Sequence, residues 1–159
     1  MMGKRNRKRV IQILCAAGLL CLIMVLLRTV GRPWYVRRQI EKADSISAGA
    51  WVGPPEVRTE DRELISRILD CLNVRSWETT PRDSFPFSTR LPQMVMVVND
   101  RYGIDLYEDT HEEEPQGLCY AMVYLRPSRV IVGTYRMELA CYQAFVEYLY
   151  DINGIPMID

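Results

Sequence analysis

Few residues in this chain have the types and spacing for chemistry. The one histidine, His111, sits inside Asp109-Thr110-His111-Glu112-Glu113-Glu114. Carboxylates packed that densely raise an imidazole pKa instead of poising it as the base for a cysteine. No Cys–His nucleophile pair is therefore expected. The same acidic run, with Glu108, lacks the alternating ligands and the glycine of a calcium loop, and reads as a solvated hairpin tip. Cys71, Cys119 and Cys141 stand in no CxxC or Cys/His spacing, which argues against a zinc site. They read as small apolar side chains on core faces, with one disulfide among the three left open. Phosphate loops, nucleophile elbows and HExxH are missing from the sequence. The expectation is no catalytic residues, no cofactor and no metal, hence a non-enzyme. A small ligand-binding sensor or enzyme is the alternative. It would need Asp105, Arg101 and Tyr107 to converge in a deep pocket.

Aromatic residues are more suggestive. Tyr102, Tyr107, Tyr120, Tyr124, Tyr135, Tyr142, Tyr148 and Tyr150 crowd the second half of the chain. Tyrosine offers contact area with a polar handle, which suits interfaces. Phe85 and Phe87 flank Pro86 in a loop rich in Pro, Ser, Thr and Arg. The partner-binding surface is expected to combine Phe85 and Phe87 with Tyr120 and Tyr124, provided the two tyrosines face away from the helices.

Stepping outward to the elements, Val10–Leu27 carries no charge and follows Lys4, Arg5, Arg7, Lys8 and Arg9. At about 1.5 Å per residue it would span roughly 27 Å, which predicts a transmembrane helix over residues 10–30. Pro33 is expected to stop it, with Trp34 and Tyr35 at the interface. The stretch is longer than a signal-peptide core, and no small-x-small site follows closely, so an uncleaved anchor is expected. Cations concentrated before the helix predict a single-pass cell-membrane protein with a cytoplasmic N-terminus and an extracytoplasmic C-terminal domain. On this reading residues 1–9 form a basic cytoplasmic tail, 31–58 a juxtamembrane segment and linker, and 59–159 the α+β domain. Residues 32–159 carry 14 basic and 20 acidic groups. That acidity argues against a nucleic-acid partner, since no basic face would offset phosphate charge.

Within the domain, Thr59 is expected to cap a helix carrying Leu64, Ile65, Ile68, Leu69 and Leu72 on one stripe. Period-2 alternation predicts strands over 93–98, 102–107, 118–125 and 130–135, with turns at Asn99-Asp100-Arg101 and Pro127-Ser128. Both faces of 118–125 are apolar, so it is expected to lie centrally. Met137, Cys141, Ala144, Phe145, Tyr148, Leu149 and Ile152 predict a final helix over 137–152, stopped by Asn153-Gly154. The expected fold is a two-layer α+β domain, an antiparallel four-stranded meander flanked by helices in the order α-β-β-β-β-α. The expected function is a membrane-anchored, non-catalytic domain that binds a protein partner.

Overall fold

A computed structural model describes residues 4–81, 91–108 and 118–156. Among these, the chain forms α1 (Lys4–Leu26), a π-helical turn (Leu27–Gly31), α2 (Arg32–Glu41), β1 (Ile46–Ala50), β2 (Glu56–Thr59) and α3 (Arg62–Cys71). A 3-10 turn (Val74–Ser76) leads to β3 (Glu78–Thr79), β4 (Met94–Val98), β5 (Tyr102–Glu108), β6 (Leu118–Leu125), β7 (Val130–Glu138) and α4 (Leu139–Ile152).

All strand pairs are antiparallel, and they build one seven-stranded sheet in the order β2-β1-β4-β5-β6-β7-β3. This corrects the expected four-stranded meander. Strands β4 to β7 do follow one another, but β1 and β2 extend one side and β3 the other. Part of the 31–58 segment expected as a juxtamembrane stretch and linker therefore belongs to the sheet. Ile46 and Ala48 pair with Val98 and Met96 and are buried, which makes β1 an inner strand. Small residues hid it: a Cβ at Gly49 would stand 2.6 Å from the Pro55 carbonyl, so the close pairing of β1 with β2 requires glycine there. The central strand is β5, not 118–125. Three strands lie on each side of it, and it is buried on both faces.

The membrane-crossing expectation is also corrected. Among the described residues, no helix is long and apolar enough to cross a membrane. Helix α1 begins inside the basic run, so its uncharged part, Val10–Leu26, is only about 25 Å long at about 1.5 Å per residue. The hydrocarbon core is roughly 30 Å. Backbone geometry then leaves the α form at Leu27–Gly31, where Thr29 Oγ1 donates to the Val25 carbonyl at 2.9 Å. Pro33 does not stop the helix. It occupies the first turn of α2, where its missing N–H costs nothing, and α2 buries Val36 and Ile40 in the domain core. The single-pass anchor, membrane association through it and the orientation assigned from it are therefore not supported.

One core lies between the sheet and the helices. Met94, Met96, Val98, Tyr102, Ile104, Leu106, Cys119, Ala121 and Val123 supply the sheet side. Helix α2 packs on β7, α4 on β6 and β7, and α3 on α4. Ile65, Ile68, Phe145 and Leu149 project into the core from α3 and α4. Trp77 fills the gap beside α2. Its indole Nε1 donates to the Leu72 carbonyl at 2.9 Å, and its ring lies 5.5 Å from that of Tyr135. Tyr135 in turn donates its hydroxyl to the Pro33 carbonyl at 2.7 Å, tying β7 to the start of α2. Two boundaries differ from expectation. Asp61, not Thr59, caps α3, accepting from Glu63 N at 2.8 Å and Leu64 N at 3.3 Å; Thr59 Oγ1 accepts from Asp61 N one step earlier. Met137 lies in β7 instead of starting α4, because its partner Cys119 holds it in the ladder.

Candidate functional site on the outer sheet face

Side chains alternate across a strand, so the register decides what the helices leave uncovered. Ile104 and Leu106 of β5 point into the core, which sends Gly103, Asp105 and Tyr107 to the opposite, outer face. Their cross-strand partners on β6 are Tyr124, Met122 and Tyr120. Val95 and Val97 of β4 flank them on one side, and Ile131, Thr134 and Arg136 of β7 on the other. Tyr120 and Tyr124 thus lie together on the face away from the helices, both half-buried. Phe85 and Phe87, expected beside them, lie outside the described residues, as do His111 and the acidic run 109–114.

The centre of this face is built around Gly103. An ideal Cβ at that position would overlap the Tyr124 ring. Tyr124 therefore lies flat across the backbone of β5, the packing by which an aromatic residue covers a strand glycine. This orientation carries its hydroxyl to Asp105, where it donates to Oδ1 at 3.1 Å. Arg129 approaches from the β6–β7 turn. Its φ of +54° is uncommon for a residue with a side chain, and its guanidinium sits 5.2 Å from the Tyr124 ring centroid. Arg129 N closes the turn by donating to the Leu125 carbonyl at 2.8 Å. The chain Arg129, Tyr124, Asp105 runs from solvent to a carboxyl that is 6% exposed.

Burial sets the electrostatics. It raises the Asp105 pKa, opposed by the hydrogen bond from Tyr124 and the charge of Arg129. Burial, reinforced by Asp105 and Tyr124, pushes Tyr107 up to about 12. Tyr124 is also raised, again first by burial. Phenols shifted upward keep their protons at neutral pH, so they donate hydrogen bonds and do not act as bases. Among the described residues, no group of His, Cys, Asp and Glu is placed to hold a metal ion.

The trio required by the ligand-binding alternative does not assemble. Asp105 and Tyr107 share the outer face, but Arg101 stacks 5.3 Å over the ring of Tyr102, which belongs to the core side. A cleft of about 390 Å³ exists on the helix side, lined by Glu41, Arg62, Asp70 and Arg75 among others. Its charges alternate in sign. Cys71, Cys119 and Cys141 are free thiols. Burial raises the pKa of Cys71 and Cys141, which reduces the reactive thiolate. Sequence reasoning grouped Tyr120 and Tyr124 on one face but missed that Asp105 lies with them and that Arg129 joins the cluster. Period-2 alternation within β5 could have put Asp105 on the outer face. Nothing local marks the positive φ of Arg129. No family model, curated protein or solved structure matches the chain.

Proposed function

We propose that this protein is a non-catalytic α+β domain whose outer sheet face docks a protein partner. One observation carries the reading. Tyr120, Tyr124, Met122, Val95, Val97 and Ile131 gather on the sheet face that the helices do not cover, all only half-buried, around a buried polar centre. Aromatic residues, methionine and aliphatic side chains around a desolvated polar group are the composition of an interface centre. A non-catalytic role is supported by phenols held protonated and by the separation of Arg101 from Asp105 and Tyr107.

Photo-cross-linking tests the reading. A benzophenone amino acid is placed at Val97 or Ile131 on the outer face, and at exposed Gln143 on α4 as the control, in cells that make the protein. Docking requires a discrete adduct from Val97 and Ile131 and none from Gln143. Equal labelling from all three positions, or none from the outer face, removes the proposal.

A further inference from the structure

We infer that the partner presents a cationic side chain, arginine or lysine, that lands on Asp105 between Tyr124 and Tyr107. The inference rests on the docking role of the outer face and adds the chemistry of what docks there.

Asp105 stands in the central strand, 6% exposed, on the face away from the helices. A carboxylate in such a place is costly unless paired with a cation. The neutral hydroxyl of Tyr124 donates to it at 3.1 Å. Among the described residues the ion pairs join Arg38 to Glu41, Arg67 to Glu63 and Arg136 to Glu78, and none includes Asp105. Arg129 is the nearby cation of the chain itself; it is exposed, interacts with the Tyr124 side chain and lowers the Asp105 pKa through its charge, but forms no ion pair with it. The carboxylate is therefore desolvated, and the chain's own cation acts on it through Tyr124 without a direct ion pair.

Its surroundings suit a cation. Tyr107 shares the outer face with it, and an aromatic ring attracts a guanidinium or ammonium through its quadrupole. Val95, Val97, Met122 and Ile131 can receive the apolar stem of the same side chain, as long cationic residues pack their methylenes on apolar surface. Charge complementarity extends beyond the contact. Residues 32–159 hold 14 basic and 20 acidic groups, so a basic segment is drawn toward the domain and an acidic one repelled. A metal ion is the poorer occupant, since one carboxylate is a single ligand and hard cations take about six or more oxygens.

The experiment titrates the full chain with two capped pentapeptides, Ala-Leu-Arg-Leu-Ala and the same peptide with citrulline for arginine, following backbone amide shifts on β4 to β7. Citrulline keeps the shape and removes the charge. The arginine peptide is expected to shift residues around Asp105, Met122 and Tyr124. It should bind about tenfold or more tightly than the citrulline peptide, and Asp105→Asn should erase that difference. Asparagine keeps an oxygen for Tyr124, and the citrulline arm needs no variant at all. If both peptides bind the outer face equally, the cation is wrong and docking stands. If neither shifts the face, the cation inference fails, and cross-linking from Val97 and Ile131 separately decides whether the face docks anything.

Discussion

Replacing Gly103 with alanine puts a methyl group where the Tyr124 ring lies. The ring must swing away, and its hydroxyl must leave Asp105, now 3.1 Å distant. Overpacking a well-filled site costs about 1–3 kcal/mol. Losing a hydrogen bond to a charged, buried group costs about 1.5–3 kcal/mol. Tyr124 is only half-buried and can turn toward solvent, which relieves part of the overlap. The expected destabilisation is about 2–4 kcal/mol. The same substitution behaves differently once the ring is gone. In a Tyr124→Ala background the methyl meets no ring, and alanine is favoured over glycine in a strand by about 0.5–1 kcal/mol. Gly103→Ala should then be neutral or slightly stabilising. Urea unfolding of the four proteins, followed by the fluorescence of buried Trp77, gives the double-mutant cycle. A coupling of about 2 kcal/mol or more is expected. If Gly103→Ala costs the same with and without Tyr124, the ring does not depend on the glycine, and the account of how Asp105 is covered is wrong.

Asp105→Asn should change stability in a pH-dependent way. Burial raises the folded pKa of the carboxyl, so the folded state holds that proton more tightly than the unfolded chain does. The penalty of the buried carboxylate is absent below the unfolded pKa, near 4, and complete above the folded one. Wild type should therefore lose stability relative to Asp105→Asn as pH rises through that window, with the variant ahead at neutral pH. Urea midpoints for both proteins from about pH 4 to 7 check this, and a gap that ignores pH or runs the other way refutes it. Tyr135→Phe removes the hydroxyl that donates to the Pro33 carbonyl at 2.7 Å in a side chain 1% exposed. A loss of about 1–2 kcal/mol is expected in the same assay, and no loss would mean that this bond does not hold α2 to β7.

Local pattern alone revealed the strands whose alternation is strong. Met94, Met96 and Val98, then Ile104 and Leu106, then the 118–125 run, are legible because one face of each meets a core and the period is 2. Helices α3 and α4 are legible for the same reason at period 3.6. Strands β1 and β2 are not. Ser47, Ala48, Gly49 and Ala50 have little strand propensity of their own, and they are held by pairing with β4 and by the close approach of the Pro55 carbonyl. Strand β3 has two residues, Glu78 and Thr79, and exists because β7 offers a ladder. The apolar run after the basic residues is legible, but not that its α geometry starts at Lys4 and ends at Leu26. That Pro33 opens a helix that enters the core depends on packing of Val36 and Ile40.

The same division holds for the candidate site. The grouping of Tyr120 with Tyr124 on one face follows from their spacing within a single strand. Their position away from the helices depends on which face of β6 the helices cover, and that is a matter of layer packing. The pairing of Gly103 with Tyr124, the burial of Asp105 and the approach of Arg129 through a left-handed turn residue arise from cross-strand register. Register is a relation between segments distant in sequence, and no single segment carries it.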